Sequence, residues 1–147
     1  MILVAFTATA FARFEQRAYA VRAEGKALTP ERLSELCGNA TAEALGDAVG
    51  DEAGVLPINW ALLPHFVHER FYMYAYVFAL LVAAGLVRRA SEPGFGERYA
   101  EFLARGGSGS PEELLATLDV DLSGRGIWDD GFALIADWLD LIEERSA

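Results

Sequence analysis

The chain has 147 residues, 53% of them hydrophobic, and a net charge of −10. That length holds a real core, and the apolar share suggests surface reserved for a partner or for another part of the same protein. The acidic balance and the scattered Lys and Arg exclude nucleic acid as a ligand, because phosphate contacts need clustered cations. A single cysteine, Cys37, excludes an internal disulfide and a cysteine-only zinc site, and it suits a cytoplasmic protein.

The elements read as helices throughout. The apolar start "MILVAFTATAFA" has no basic residue ahead of it, so it is not read as a signal peptide. Phe6, Ala10, Phe14 and Ala18 recur at four-residue intervals beside Phe11, which predicts a helix over 1–24 ended by Gly25. Thr29 followed by Pro30 opens a second helix, with Leu33, Leu36, Cys37 and Ala40 on one stripe. "GDAVGDEAGVLPIN" reads as a loop. A third helix starts between His65 and Glu69 and ends before Pro93. Its stretch Phe71–Val87 holds 17 uncharged residues, the short limit of a membrane span. Three tyrosine hydroxyls would lack partners in lipid, so a buried helix is expected and no membrane contact. A fourth helix covers about 95–105, and "RGGSGS" ends it. Ser110, Pro111 and Glu113 spell a capping box for a short helix. The last helix, 127–144, carries Trp128, Phe132, Ile135, Leu139 and Ile142 on one face. No strand alternation or repeat is present. The expectation is an all-α single domain over 1–147 with five to six helices.

Chemistry-bearing residues gather at one place. His65 and His68 are the only histidines, and Tyr72, Tyr74 and Tyr76 follow closely. "HFVHE" differs from the His-Glu-x-x-His of zinc peptidases in order and spacing, and no third histidine completes a site. Taken alone, the pair reads as polar residues at a helix entry rather than as metal ligands. Tyr72 and Tyr76 share a helical face and Tyr74 points away. Phenols can donate to a developing oxyanion while neutral, or can simply belong to a core. Cys37 and "GGSGS" carry no signal of a nucleophile or a phosphate loop.

Six segments, in order, resemble one family: "FARFE" at 11–15, "EGKALTPERL" at 24–33, "WALLPHF" at 60–66, "RFYMYAYVFAL" at 70–80, "YAEFLARGGSGSPEELL" at 99–115 and "VDL" at 120–122. Together they are similar to the C-terminal part of the oligoendopeptidase F family, zinc metallopeptidases related to thimet oligopeptidase. The resemblance runs from about residue 9 to 145. It implies catalytic roles for His65, Tyr76 and Tyr72 around the scissile carbonyl, and substrate-side places for Tyr74 and His68. His68 departs from the family, where a tyrosine is common. The family's His-Glu-x-x-His element and its further glutamate ligand precede this region and are not in the chain. The resemblance therefore implies no metal ligand here and no cofactor in this chain alone, with zinc in the complete family enzyme. It implies an oligopeptide substrate and a zinc-bearing partner segment or a homo-oligomer. The chain by itself is expected to be inactive, because a hydroxyl donor contributes only about 2.7–4 kcal/mol of transition-state stabilisation. The alternative is an inactive helical module that binds peptides or proteins.

Overall fold

A computed structural model describes residues 2–46 and 56–146, without the side chains of Leu56 and Ser146. These residues are all-helical. In chain order the helices are α1 (Ile2–Ala23), α2 (Pro30–Leu45), α3 (Asn59–Leu62), α4 (His65–His68), α5 (Tyr72–Arg88), α6 (Phe95–Arg105), α7 (Pro111–Leu115) and α8 (Gly126–Ser146). Short 3-10 turns lie at Leu56–Ile58 and Ala116–Leu118. None of these helices is long and apolar enough to cross a membrane. Most of the expected loop, residues 47–55, lies outside the described residues, as does Met1. Two helices exceed the expected number. α3, a single turn after Pro57, is too short for a hydrophobic period to reveal, and α4, a single turn after Pro64, is separated from α5 where one helix was expected.

Two compact units are present, one ending at Phe78 and the other starting at Ala79. In the first, α1 packs on α2. Phe14, Ala18, Leu36, Cys37 and Ala40 are buried together, covered by Phe11, Val21, Leu28, Leu33, Trp60 and Phe66. Most of both predicted stripes therefore face each other, whereas Phe6 at the start of the α1 stripe is exposed. Thr29 accepts the amide of Arg32 through its side chain and Pro30 takes the first turn, as the sequence indicates. Cys37 is fully buried, and burial pushes its thiol pKa up, which suits packing. Trp60 donates its indole N–H to Ser34 Oγ at 3.2 Å and so ties α3 to α2. Phe66 meets Phe11 and Phe14 edge-on at 5.5 and 5.1 Å, which fastens α4 to α1.

In the second unit the later part of α5 meets α8. A Cβ on Gly131 would stand 2.5 Å from the Leu81 carbonyl oxygen, and one on Gly85 would stand 2.6 Å from Ile127. Only glycine allows that approach. The burial on α8 differs from the expected stripe. Ile127 and Gly131 are buried, whereas Phe132 is 59% exposed and Leu139 and Ile142 are also exposed. Close backbone contact at the glycines outweighs side-chain periodicity in setting which face turns inward.

Candidate functional site

The third predicted helix is two pieces. α4 ends at His68, residues 69–71 break the run, and α5 starts at Tyr72. Phe71 takes a left-handed conformation with φ 57°, which a bulky side chain rarely adopts. Its surroundings hold it there. The Phe71 amide donates to Glu15 Oε1 at 3.0 Å, and its ring lies 4.5 Å from that of Tyr19. The reversal folds α4 back beside the first turns of α5.

This fold-back brings His65, Tyr72 and Tyr76 into one cluster. The imidazole of His65 stacks on the Tyr72 ring, with centroids 5.2 Å apart and planes 18° apart. Tyr76 stands edge-on to both rings, at 6.1 Å from His65 and 5.4 Å from Tyr72. Tyr76 Oη lies 3.4 Å from His65 Nε2. Both tyrosines are exposed, Tyr76 at 40%. His65 Nδ1 is shielded from solvent and has no hydrogen-bond partner. A proton on Nδ1 would bury an unpaired donor, which native structures avoid more strictly than an unpaired acceptor. The geometry thus favours the tautomer with the proton on Nε2. In that form Nε2–H donates to Tyr76 Oη, and the phenol proton is free to point outward.

The other two predicted residues lie apart from this cluster. His68 is exposed at the end of α4 and makes no ring contact with it. Tyr74, 60% exposed, lines a different hollow with Ala12, Glu15, Gln16, Arg70 and Phe71. A second hollow, of about 280 Å³, is lined mainly by apolar residues of α1 and α2 with Trp60, Phe66 and Val67. None of His65, Tyr72 and Tyr76 lines either hollow.

Glu15 is the residue that sequence reasoning missed. It is only 4% exposed, on the inner side of α1. Its carboxylate accepts the amide of Phe71 at 3.0 Å, just before the start of α5. Burial raises its pKa above the usual glutamate value, and the backbone amides of Phe71 and Met73 offset part of that shift. A signal was available: Glu15 directly follows Phe14 and sits three before Ala18, within the apolar stripe. A carboxylate on that stripe requires a buried donor.

These donors do not fit a zinc ion. His65 turns Nε2 to Tyr76 and shields Nδ1. Among the described residues no group of three or more His, Cys, Asp or Glu side chains could hold a metal.

Comparison with known proteins gives a consistent result. The model of peptidase family M3 matches residues 2–134. An oligoendopeptidase F homolog of Lactococcus lactis subsp. lactis (strain IL1403) is 30% identical over 141 residues, covering 95% of this chain and 23% of the relative. Oligopeptidase PepF of Bacillus subtilis (strain 168) is 28% identical over 144 residues, covering 95% and 21%. Group B oligopeptidase PepB of Streptococcus agalactiae serotype III (strain NEM316) is 27% identical over 144 residues, covering 97% and 24%. The chain thus spans less than a quarter of the length of each of these relatives. No solved structure matches.

Proposed function

Since the chain belongs to peptidase family M3, we propose that it supplies the substrate-facing, oxyanion-holding wall of an oligopeptidase whose metal ligands lie in another segment or chain. In this reading residues 1–147 correspond to the C-terminal part of the peptidase catalytic domain. The observation that carries it is the convergence of Tyr76 Oη on His65 Nε2 at 3.4 Å, with Tyr72 stacked on the same imidazole.

The chemistry follows from the hydrogens. His65 holds Tyr76 by donating Nε2–H to its oxygen, and the Tyr76 hydroxyl then donates to the carbonyl oxygen of an oligopeptide. As that oxygen gains charge the bond strengthens, so the donor acts mainly in the transition state. The contact at 3.4 Å is long for a hydrogen bond and is of the kind that tightens once substrate is bound. Tyr72 keeps the imidazole plane in place by stacking. In this reading Tyr74 and His68 are assigned to flanking parts of the peptide. The exposed Phe132, Leu139 and Ile142 of α8 offer apolar surface to the metal-bearing segment or to a second copy of the chain.

The test is kinetic. The chain is combined with the metal-bearing part of an M3 relative, and Tyr76→Phe is compared with the parent. The expected result is a fall in kcat of about 10²–10³ with little change in KM. An unchanged kcat under conditions where chemistry limits the rate overturns the assignment. Peptide binding without turnover in any combination favours an inactive binding module instead.

A further inference from the structure

The geometry points to Glu15 as a positioning residue: its buried carboxylate, supplied by α1, caps the start of α5 and thereby sets the His65–Tyr72–Tyr76 cluster. The inference rests on that cluster being the functional one, but its physical content is independent of peptidase activity.

The start of α5 lacks a local cap. The residues before it are Glu69, Arg70 and Phe71, and none is the Ser, Thr, Asp or Asn that commonly accepts the first free amides. The amide of Tyr72 donates to the carbonyl of Glu69 at 3.2 Å. That of Phe71 donates to Glu15 Oε1 at 3.0 Å, 56 positions earlier in sequence, and the amide of Met73 lies near enough to favour the charge of the same carboxylate. A carboxylate at this end also opposes the partial positive charge of the helix. Each of these bonds fixes where α5 begins and how it is rotated. Tyr72 and Tyr76 lie in its first turns, so the bonds set their approach to His65.

The same residue explains the left-handed Phe71. That conformation costs on the order of 1–3 kcal/mol and persists only when several contacts demand it. The Glu15 bond and the Tyr19 ring are two such contacts, both from α1. The reversal at Phe71 is what lets α4 lie beside α5. A buried glutamate is a poor way to stabilise α1, because burial disfavours its charge. Its place on the apolar stripe makes sense if its task is to hold the chain at Phe71.

Other groups around Glu15 do not take over this role. From α1 the neighbouring charged or titratable side chains are Tyr19 and Arg22; from the break and α5 they are Arg70 and Tyr74. Arg22 donates to the carbonyl of Lys26. Arg70 lines the hollow beside Glu15 without forming an ion pair with it.

The test uses Glu15→Met in the full 147-residue chain. Methionine fills a similar volume and accepts no strong hydrogen bond. Amide exchange, and proton contacts between the His65 and Tyr76 rings, are followed by NMR. The expected result is a dissociation. Global unfolding by urea shifts little, while exchange at Phe71 and Met73 quickens by about tenfold and the His65–Tyr76 ring contacts are lost. Leu36→Ala, a core variant in α2, should do the reverse. Faster exchange with the ring contacts intact would show that Glu15 caps α5 without positioning the cluster, and unchanged exchange would show that it does neither. Both overturn the inference. If Glu15→Met does not fold, the parent chain is titrated with acid. The amide shifts of Phe71 and Met73 should then move with the Glu15 carboxyl at one midpoint while those of Glu113 do not, and a failure to move together overturns the inference. Failure of the peptidase reading would appear instead in the kinetics of Tyr76→Phe, with the ring contacts still present.

Discussion

At α7, Ser110 Oγ accepts the amide of Glu113 at 3.2 Å, and Glu113 Oε2 accepts the amide of Ser110 at 2.9 Å. At α5 the corresponding amide, that of Phe71, goes to a glutamate on another helix, 56 positions earlier. The local cap is exposed, built from residues three apart, and independent of the rest of the fold. The distant cap is buried, forms only once α1 and the 69–71 segment have met, and holds a strained residue. A short helix that only has to begin can be capped by its own sequence. A helix that must begin at a set place relative to a histidine on a neighbouring turn is better held by a third element. The difference lies in what each start has to position, not in how well each helix is formed.

Several substitutions break or sharpen this contrast. The largest effect is expected where packing, not capping, holds the structure. Leu118, in the 3-10 turn after α7, is almost fully buried. Leu118→Ala should lower unfolding stability by about 2–5 kcal/mol in urea titrations, and a loss no larger than that of a cap residue would place α7's stability in its cap after all. Glu15→Ala comes next, because unlike Glu15→Met it leaves a void as well as removing the acceptor of the Phe71 amide. A loss of about 1–3 kcal/mol is expected, accompanied by loss of the His65–Tyr76 ring contacts. Ser110→Ala should cost only about 0.5–2 kcal/mol and leave those contacts unchanged. If it disturbed them, the two caps would not be independent.

The smallest signal is a slope with pH. The pKa of folded Glu15 is raised by burial. The folded state therefore binds its proton more tightly than the unfolded chain does. The associated stability is fully present below the ordinary glutamate range and is lost as pH rises through the folded value. Glu15→Gln cannot titrate, so its stability relative to the parent should rise with pH across that window. Exposed carboxylates such as Asp121 and Glu43, whose pKa values are lowered by Ser123 and by Arg17, act in the opposite direction in both proteins and cancel in the difference. A parent-minus-variant difference that is flat with pH would mean that Glu15 is solvated.

Much of this was legible in the sequence because the causes were local. Thr29–Pro30 and Ser110–Pro111–Glu113 cap the helices they precede, and each does so through residues within one turn. The stripe of Leu36, Cys37 and Ala40 met the stripe of Phe14 and Ala18 because helical periodicity fixes which side chains share a face. The pairing of Tyr72 with Tyr76 follows from the same period. Tertiary structure decided the rest. The break at 69–71, the left-handed Phe71 and the cap from Glu15 depend on an amide meeting a carboxylate far away in sequence, and no local preference predicts that meeting. On α8 the apolar period named Phe132 and Leu139, yet Ile127 and Gly131 turn inward, because the absence of a side chain at Gly131 and Gly85 lets two backbones approach. Periodicity counts side chains that seek burial; it does not register a contact made possible by the lack of one, nor a charge whose partner lies on another helix.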